Sequence, residues 1–232
     1  ISPPSKRMIK LSDLYLRLLE SAQNAGMGPM VIGKSIGGLD KLGPIVCNFE
    51  PQAVIKKYGN DWKKVMSDII TILKPNGKIR KTSRSLWPRF CGAIVSGAVF
   101  LAQFETANAF YNWADFFDKD DRARPSLPML LAYEIDGIGF PLACDFLKEI
   151  GYVNFGKPDV HLKKIFTALK LCSRNDDYQV FKSIVRVARN CDVTPFAVDK
   201  LFWLIGSGNL VVNGIKIGRQ REPFIRYVRA KS

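Results

Sequence analysis

The stretch Ile135-Asp136-Gly137-Ile138-Gly139-Phe140-Pro141-Leu142-Ala143 sets two glycines around one apolar residue, ahead of an apolar run that continues to Ile150. Glycine accepts the backbone angles of a tight turn, and without Cβ atoms the N–H groups at the start of the next helix stay open to a ligand. The helix dipole places partial positive charge at the same point, so a phosphate can be held there with no charged side chain. Ile138 is expected to plug the turn into the core. Gly137 and Gly139 are therefore candidate phosphate-binding residues, although a glycine pair before a helix also serves as an ordinary structural turn.

Downstream, the segment Gly156-Lys157-Pro158-Asp159-Val160-His161-Leu162 brings an aspartate to the start of a helix eighteen residues after Pro141. The hairpin, the spacing and the aspartate together resemble the helix-hairpin-helix, Gly/Pro-rich loop, Asp superfamily of DNA glycosylases. That family's hairpin reads (Leu/Ile)-x-Gly-(Val/Ile)-Gly-x-x-x-Ala, matched by Ile135, Gly137, Ile138, Gly139 and Ala143. Its aspartate sits in a Val-Asp-x-His or Pro-Asp context, matched by Pro158, Asp159 and His161, and the Asp-Val-His form is nearest to the oxidised-guanine glycosylases. Phe90 to Gln103, with Ile94-Val95-Ser96, is similar to the family's buried helix near the lesion-sensing loop. The usual Ser-Gln-Gln is here Ser96-Gly97-Ala98, so the residue that would fill the gap in the duplex is unassigned. The match covers about thirty residues, and the rest agrees in being helical.

The resemblance implies a mostly α, two-lobed helical glycosylase fold. A central domain with the hairpin would span 87–155, and 1–86 with 156–232 would form a second lobe. The implied activity is hydrolysis of the N-glycosidic bond of a damaged or mismatched base. Breaking that bond develops positive charge on the sugar, which a fixed carboxylate stabilises while it orients the attacking water. Asp159 is the candidate for both roles; an aspartate after proline and before an apolar run also suits a helix N-cap. Bifunctional relatives carry a lysine where this chain has Pro141, and a proline has no amine for a Schiff base. The resemblance thus points to a monofunctional enzyme. Two other readings stay open: a non-catalytic helix-hairpin-helix DNA-binding protein, favoured by Pro141 and the missing Ser-Gln-Gln, and a lyase that uses a displaced lysine such as Lys148 or Lys157.

A base must be flipped out and held against aromatic surfaces to be excised. Trp87, Tyr111, Trp113, Tyr152 and Trp203 are available, although core packing is the commoner task for each; His161, the only histidine, and Trp113 are candidate pocket residues. Lys157 and Lys163 are candidate DNA-phosphate contacts beside Gly137 and Gly139. Lys164 and Arg219, Arg221, Arg226 and Arg229 are further ones.

Helical spacing predicts helices over Leu11–Ala25 with Ser12 as cap, Asp61–Leu73, Trp87–Gln103, Glu105–Phe117, Pro128–Glu134, Phe140–Ile150, Val160–Leu171 and Asp176–Asn190. Thr194-Pro195 starts another, which runs to Ile205 before Gly206 and Gly208. Residues 26–44, with six glycines and two prolines, read as irregular. Lys74–Arg84, five basic residues and no acid, reads as a phosphate-contacting loop or a linker. Leu210–Ile217, built around Asn213-Gly214, predicts a small C-terminal β-hairpin. Gly28-Pro29-Met30-Val31-Ile32-Gly33-Lys34-Ser35 satisfies the phosphate-loop pattern of nucleotide hydrolases, but that loop follows a strand and opens a helix. Here a helix precedes it and two glycines follow.

The net charge of +14 and a pI near 9.7 favour a polyanionic partner, double-stranded DNA above all. No apolar run is long enough to span a bilayer, so no membrane partner is expected, and a monomer is. Five scattered cysteines without a CxxC pair argue for buried thiols in a reducing compartment and against a metal site. No cofactor is expected, or at most a monovalent cation at the hairpin. The first residues lack a signal peptide's apolar core, and a start at Ile1 points to trimming; an intracellular protein, cytoplasmic or nuclear with DNA, is expected.

Overall fold

The computed structural model describes residues 7–25, 30–209 and 218–231. These hold twelve α-helices, two short 3-10 turns and no strand, so the protein is mostly helical; the hairpin expected at Leu210–Ile217 lies outside the described residues. The chain divides into two compact units, Lys6–Phe146 and Leu147–Ser232.

The first unit contains α1 (Leu11–Ala22), α2 (Val31–Ile36), α3 (Pro51–Tyr58), α4 (Trp62–Leu73), α5 (Leu86–Leu101), α6 (Ala107–Asp118), α7 (Ser126–Glu134) and the first turns of α8 (Phe140–Glu149). Helix α5 has almost no polar face. Trp87, Phe90, Cys91, Ala93, Ile94, Val95, Ala98, Phe100 and Leu101 are all buried, and α1, α3, α4 and α7 pack around it. This explains why the unit differs from the expected division. The apolar circumference of α5 draws the N-terminal helices onto itself, so residues before 87 join the hairpin's unit.

Local signals account for several helix starts. Asp61 caps α4 by accepting from the Lys63 and Lys64 amides, and Thr106 caps α6 through Ala109. Ser12 does not cap α1 as expected: Leu11 is already helical and Lys10 takes the cap position, so Ser12 falls inside the first turn. Helix α3 was not anticipated, although Pro51 at its first position marks it. The irregular segment 26–44 holds α2 and a 3-10 turn at Leu39–Leu42. The phosphate-loop pattern falls partly outside the described residues, but the Gly33 amide donates to Gln23 Oε1 at 3.1 Å and is engaged internally.

The second unit consists of the end of α8 with α9 (Val160–Ala168), α10 (Asp177–Asn190), α11 (Pro195–Ser207) and α12 (Arg221–Arg229). Leu162, Ile165, Phe166, Val180, Ile184, Val198, Phe202 and Ile225 form its core. Thr194 caps α11 through the Ala197 amide, with Pro195 in the first turn as expected. Helix α12 was not anticipated.

All five cysteines are free thiols; Cys91 and Cys144 are buried, and burial pushes the Cys91 thiol up to about 12. Cys191 departs from the expectation of buried thiols because it follows the last turn of α10 at the surface. Among the described residues no helix is long and apolar enough to cross a membrane, and no cluster of His, Cys, Asp or Glu is placed to hold a metal ion.

Helices α1 and α5 approach closely at Gly97. A Cβ there would stand 2.8 Å from Leu18 Cδ2 and 3.5 Å from Tyr15 Cε2, both fully buried on α1. The Tyr15 hydroxyl donates to the Ile94 carbonyl across the same contact. Gly97→Val therefore forces α1 away from α5 and destabilises the protein by about 1–3 kcal/mol. A lower urea midpoint with an unchanged helical circular dichroism signal is the expected result.

Candidate functional site

The turn between α7 and α8 is built by its glycines. Gly137 has φ +75°, a left-handed angle, and a Cβ there would meet the Arg89 carbonyl oxygen at 2.5 Å. Only glycine fits. Gly139 is exposed, and a Cβ there would meet nothing nearer than Pro141 Cδ at 3.8 Å. Its carbonyl accepts from the Leu142 and Ala143 amides at 2.9 and 3.0 Å, which starts α8. Among the described residues the amides of Gly137 and Gly139 have no acceptor. Ile138 is buried as expected.

Ser96 ties this turn to α5. Its hydroxyl donates to the Gly92 carbonyl at 2.8 Å and accepts from the Asp136 amide at 2.9 Å. The serine that begins the altered Ser-Gly-Ala triplet thus braces the hairpin.

In the second unit, Asp159 is the N-cap of α9. Its Oδ1 accepts from the His161 and Leu162 amides at 2.8 and 3.0 Å, while Oδ2 has no donor among the described residues. The side chain is half-buried, with one oxygen directed by the helix and the other unengaged. The preceding loop is pinned at Gly156, where a Cβ would meet Ile184 Cγ2 at 2.6 Å and the Pro195 carbonyl at 3.1 Å.

Below the loop lies a charge pair that the sequence did not reveal. Lys148 Nζ on α8 donates to Asp199 Oδ2 on α11 at 2.6 Å, with side-chain exposures of 6% and 2%. The Lys157 amide also donates to the Asp199 carboxylate. Burial raises the Asp199 pKa, and Lys148 and the Lys157 amide oppose that shift. Lys200 pairs with Glu149 at 3.0 Å, a second bridge between the same helices.

The other candidates fall as follows. The His161 ring packs on α11, where a Cβ at Gly206 would meet His161 Cγ at 2.8 Å, and its buried Nδ1 has no partner among the described residues. Burial lowers its pKa, with Asp159 opposing and Arg219, Arg221 and Lys164 adding to the fall. Lys163 is in an ion pair with Asp177 on α10, so a phosphate would have to compete for it. Lys157 is half-buried in the Gly/Pro loop. Trp113 belongs to the first unit, in an aromatic cluster with Phe100, Phe104, Phe110 and Phe117, and it lines a groove with Leu130 and Glu134. Lys157, Asp159, His161 and Lys163 are thus grouped on one unit, and Trp113, Gly137 and Gly139 are on the other.

No family model, no curated protein and no solved structure matches the chain. The likeness to the glycosylase superfamily accordingly rests on the motif residues themselves.

Removing one partner of a buried ion pair strands the other charge, at about 3–5 kcal/mol, whereas replacing both by apolar groups is far milder. Lys148→Met is expected to lower the urea midpoint sharply. The double variant Lys148→Met with Asp199→Leu should recover most of that loss, measured on the same scale.

Proposed function

We propose that the protein is a base-excision DNA glycosylase that hydrolyses the N-glycosidic bond of a damaged or mismatched base in double-stranded DNA, with Asp159 as its catalytic carboxylate. The observation that carries this reading is the Asp159 side chain: half-buried at the start of α9, with Oδ1 fixed by two amides and Oδ2 left without a donor among the described residues. A carboxylate so aimed can face the positive charge that develops on the deoxyribose and hold the attacking water. The two unengaged amides at Gly137 and Gly139 supply a phosphate grip of the kind a helix start provides.

The reaction leaves an abasic site rather than a cut strand. Pro141 has no amine, and Lys148, the displaced candidate, has its ammonium group engaged by Asp199 in the interior. The net charge of +14 supplies sequence-independent attraction to the phosphate backbone.

The decisive assay uses a panel of duplexes, each with one altered base, and alkali to reveal abasic sites. Asp159→Asn keeps a capping oxygen, so its stability stays close to the parent's. Excision is expected to fall at least about a hundredfold with duplex binding preserved. Borohydride is expected to trap no covalent complex on abasic DNA. A protein that binds every duplex and excises nothing, with Asp159→Asn indistinguishable from the parent, identifies a non-catalytic helix-hairpin-helix module instead.

The glycines separate fold from grip. Gly137→Ala is expected to destabilise the protein, because of its positive φ and the Arg89 carbonyl at 2.5 Å. Gly139→Ala is expected to leave the melting temperature nearly unchanged and to weaken duplex binding, read by fluorescence anisotropy.

A further inference from the structure

A second charged surface lies on the first unit, along α4 and the loop that follows it. Between Lys56 and Arg84 there are nine lysine and arginine residues against two aspartates, half of the chain's net +14 within 29 residues. Both acids are engaged: Asp61 caps α4, and Asp68 accepts from the Tyr58 hydroxyl at 2.7 Å. Lys74, Lys78, Arg80, Lys81 and Arg84 are all exposed, and none has a carboxylate partner among the described residues. Five unpaired cations in eleven residues repel one another and contribute nothing to the fold's own ion pairs.

This loop borders a groove. Trp62, Met66 and Ile70 recur every fourth residue and form an apolar stripe on α4; with Lys63, Thr71 and Lys81 they line an opening of about 360 Å³. Lys63 Nζ lies 5.8 Å from the Trp62 ring centre. The half-buried indole thus shares the groove lining with the Lys63 and Lys81 side chains.

We propose that this groove is a binding track for an unpaired nucleic-acid strand, with a base stacked on Trp62 and backbone phosphates on Lys78, Lys81 and Arg84. Charge complementarity selects a polyanion, and the apolar aromatic stripe selects one whose flat bases are free to stack. Paired bases of a duplex are hidden from such a surface. An anionic membrane or an acidic protein would use the cations but would bring no flat bases to stack on the ring. The track requires no base excision, and undamaged oligonucleotides test it, so it stands or falls separately from the glycosylase reading.

The experiment measures anisotropy of a labelled, undamaged oligothymidylate of about 12 nucleotides against the full chain. Trp62→Ala is expected to weaken binding about tenfold and Trp62→Phe to restore most of it, since stacking needs a ring rather than an indole. The triple variant Lys78→Ala, Lys81→Ala, Arg84→Ala is expected to reduce the slope of log affinity against log salt by about 2. These three side chains are exposed, so that variant reports even if Trp62→Ala fails to fold. The proposal is overturned if both variants bind the oligonucleotide as the parent does, or if the parent binds only duplex. It is also overturned if the variants lose binding to phosphatidylserine vesicles or polyglutamate while the oligonucleotide affinity stays unchanged.

Discussion

The Lys148–Asp199 pair is the constraint on which the second unit turns. Two charges removed from water forfeit several kcal/mol of hydration, and their mutual attraction offsets this only when the geometry is close and the remaining polar atoms are satisfied. Here the contact is 2.6 Å, and the Asp199 carboxylate takes a further donor from the Lys157 amide. The pair therefore joins three parts of the chain at once: the end of α8, the middle of α11, and the loop that delivers Asp159. An apolar substitute could fill the volume, but it would hold no amide and would not set the register of the loop.

That loop also bears on how, under the proposed function, one residue can serve as cap and catalyst together. The helix needs an oxygen on its first amides, and Oδ1 of Asp159 supplies it. Capping removes the side chain's rotational freedom, and a carboxylate whose direction is already fixed needs no reorganisation when charge develops before it. Structural and chemical roles at Asp159 are therefore not rivals. What distinguishes them is Oδ2, which the helix does not use.

Legibility in the sequence followed the range of the interactions. Asp159 as a cap and the Thr194-Pro195 start of α11 depend on neighbours within four residues, and the glycine turn with Ile138 as its plug showed in the residue types alone, although the Arg89 carbonyl that bars a side chain at Gly137 did not. The fully apolar α5 announced itself as a core helix in the same way. Helix α12 was missed because half of its stretch Arg221-Glu222-Pro223-Phe224-Ile225-Arg226 is charged and the arginines read as phosphate contacts; only packing of Phe224 and Ile225 onto the core reveals it. Lys148 with Asp199 and Lys163 with Asp177 pair residues 51 and 14 positions apart, which no local pattern encodes. The Ser12 cap failed by two positions because serine within a first turn and serine before it look alike in one dimension.

Pro141 bears on chemistry through backbone rules. In the first turn of α8 a proline loses nothing, since the N–H it lacks would have no partner within the helix and its fixed φ suits the turn. The Leu142 and Ala143 amides close on Gly139 regardless. The helix start does not demand the proline, so under the proposed function its absent amine is what bears on the chemistry. With no amine at the start of α8 and Lys148 engaged by Asp199, neither position offers a ready partner for a sugar aldehyde. For an enzyme built on Asp159, water is then the nucleophile, and a carboxylate with one free oxygen is the group that orients it.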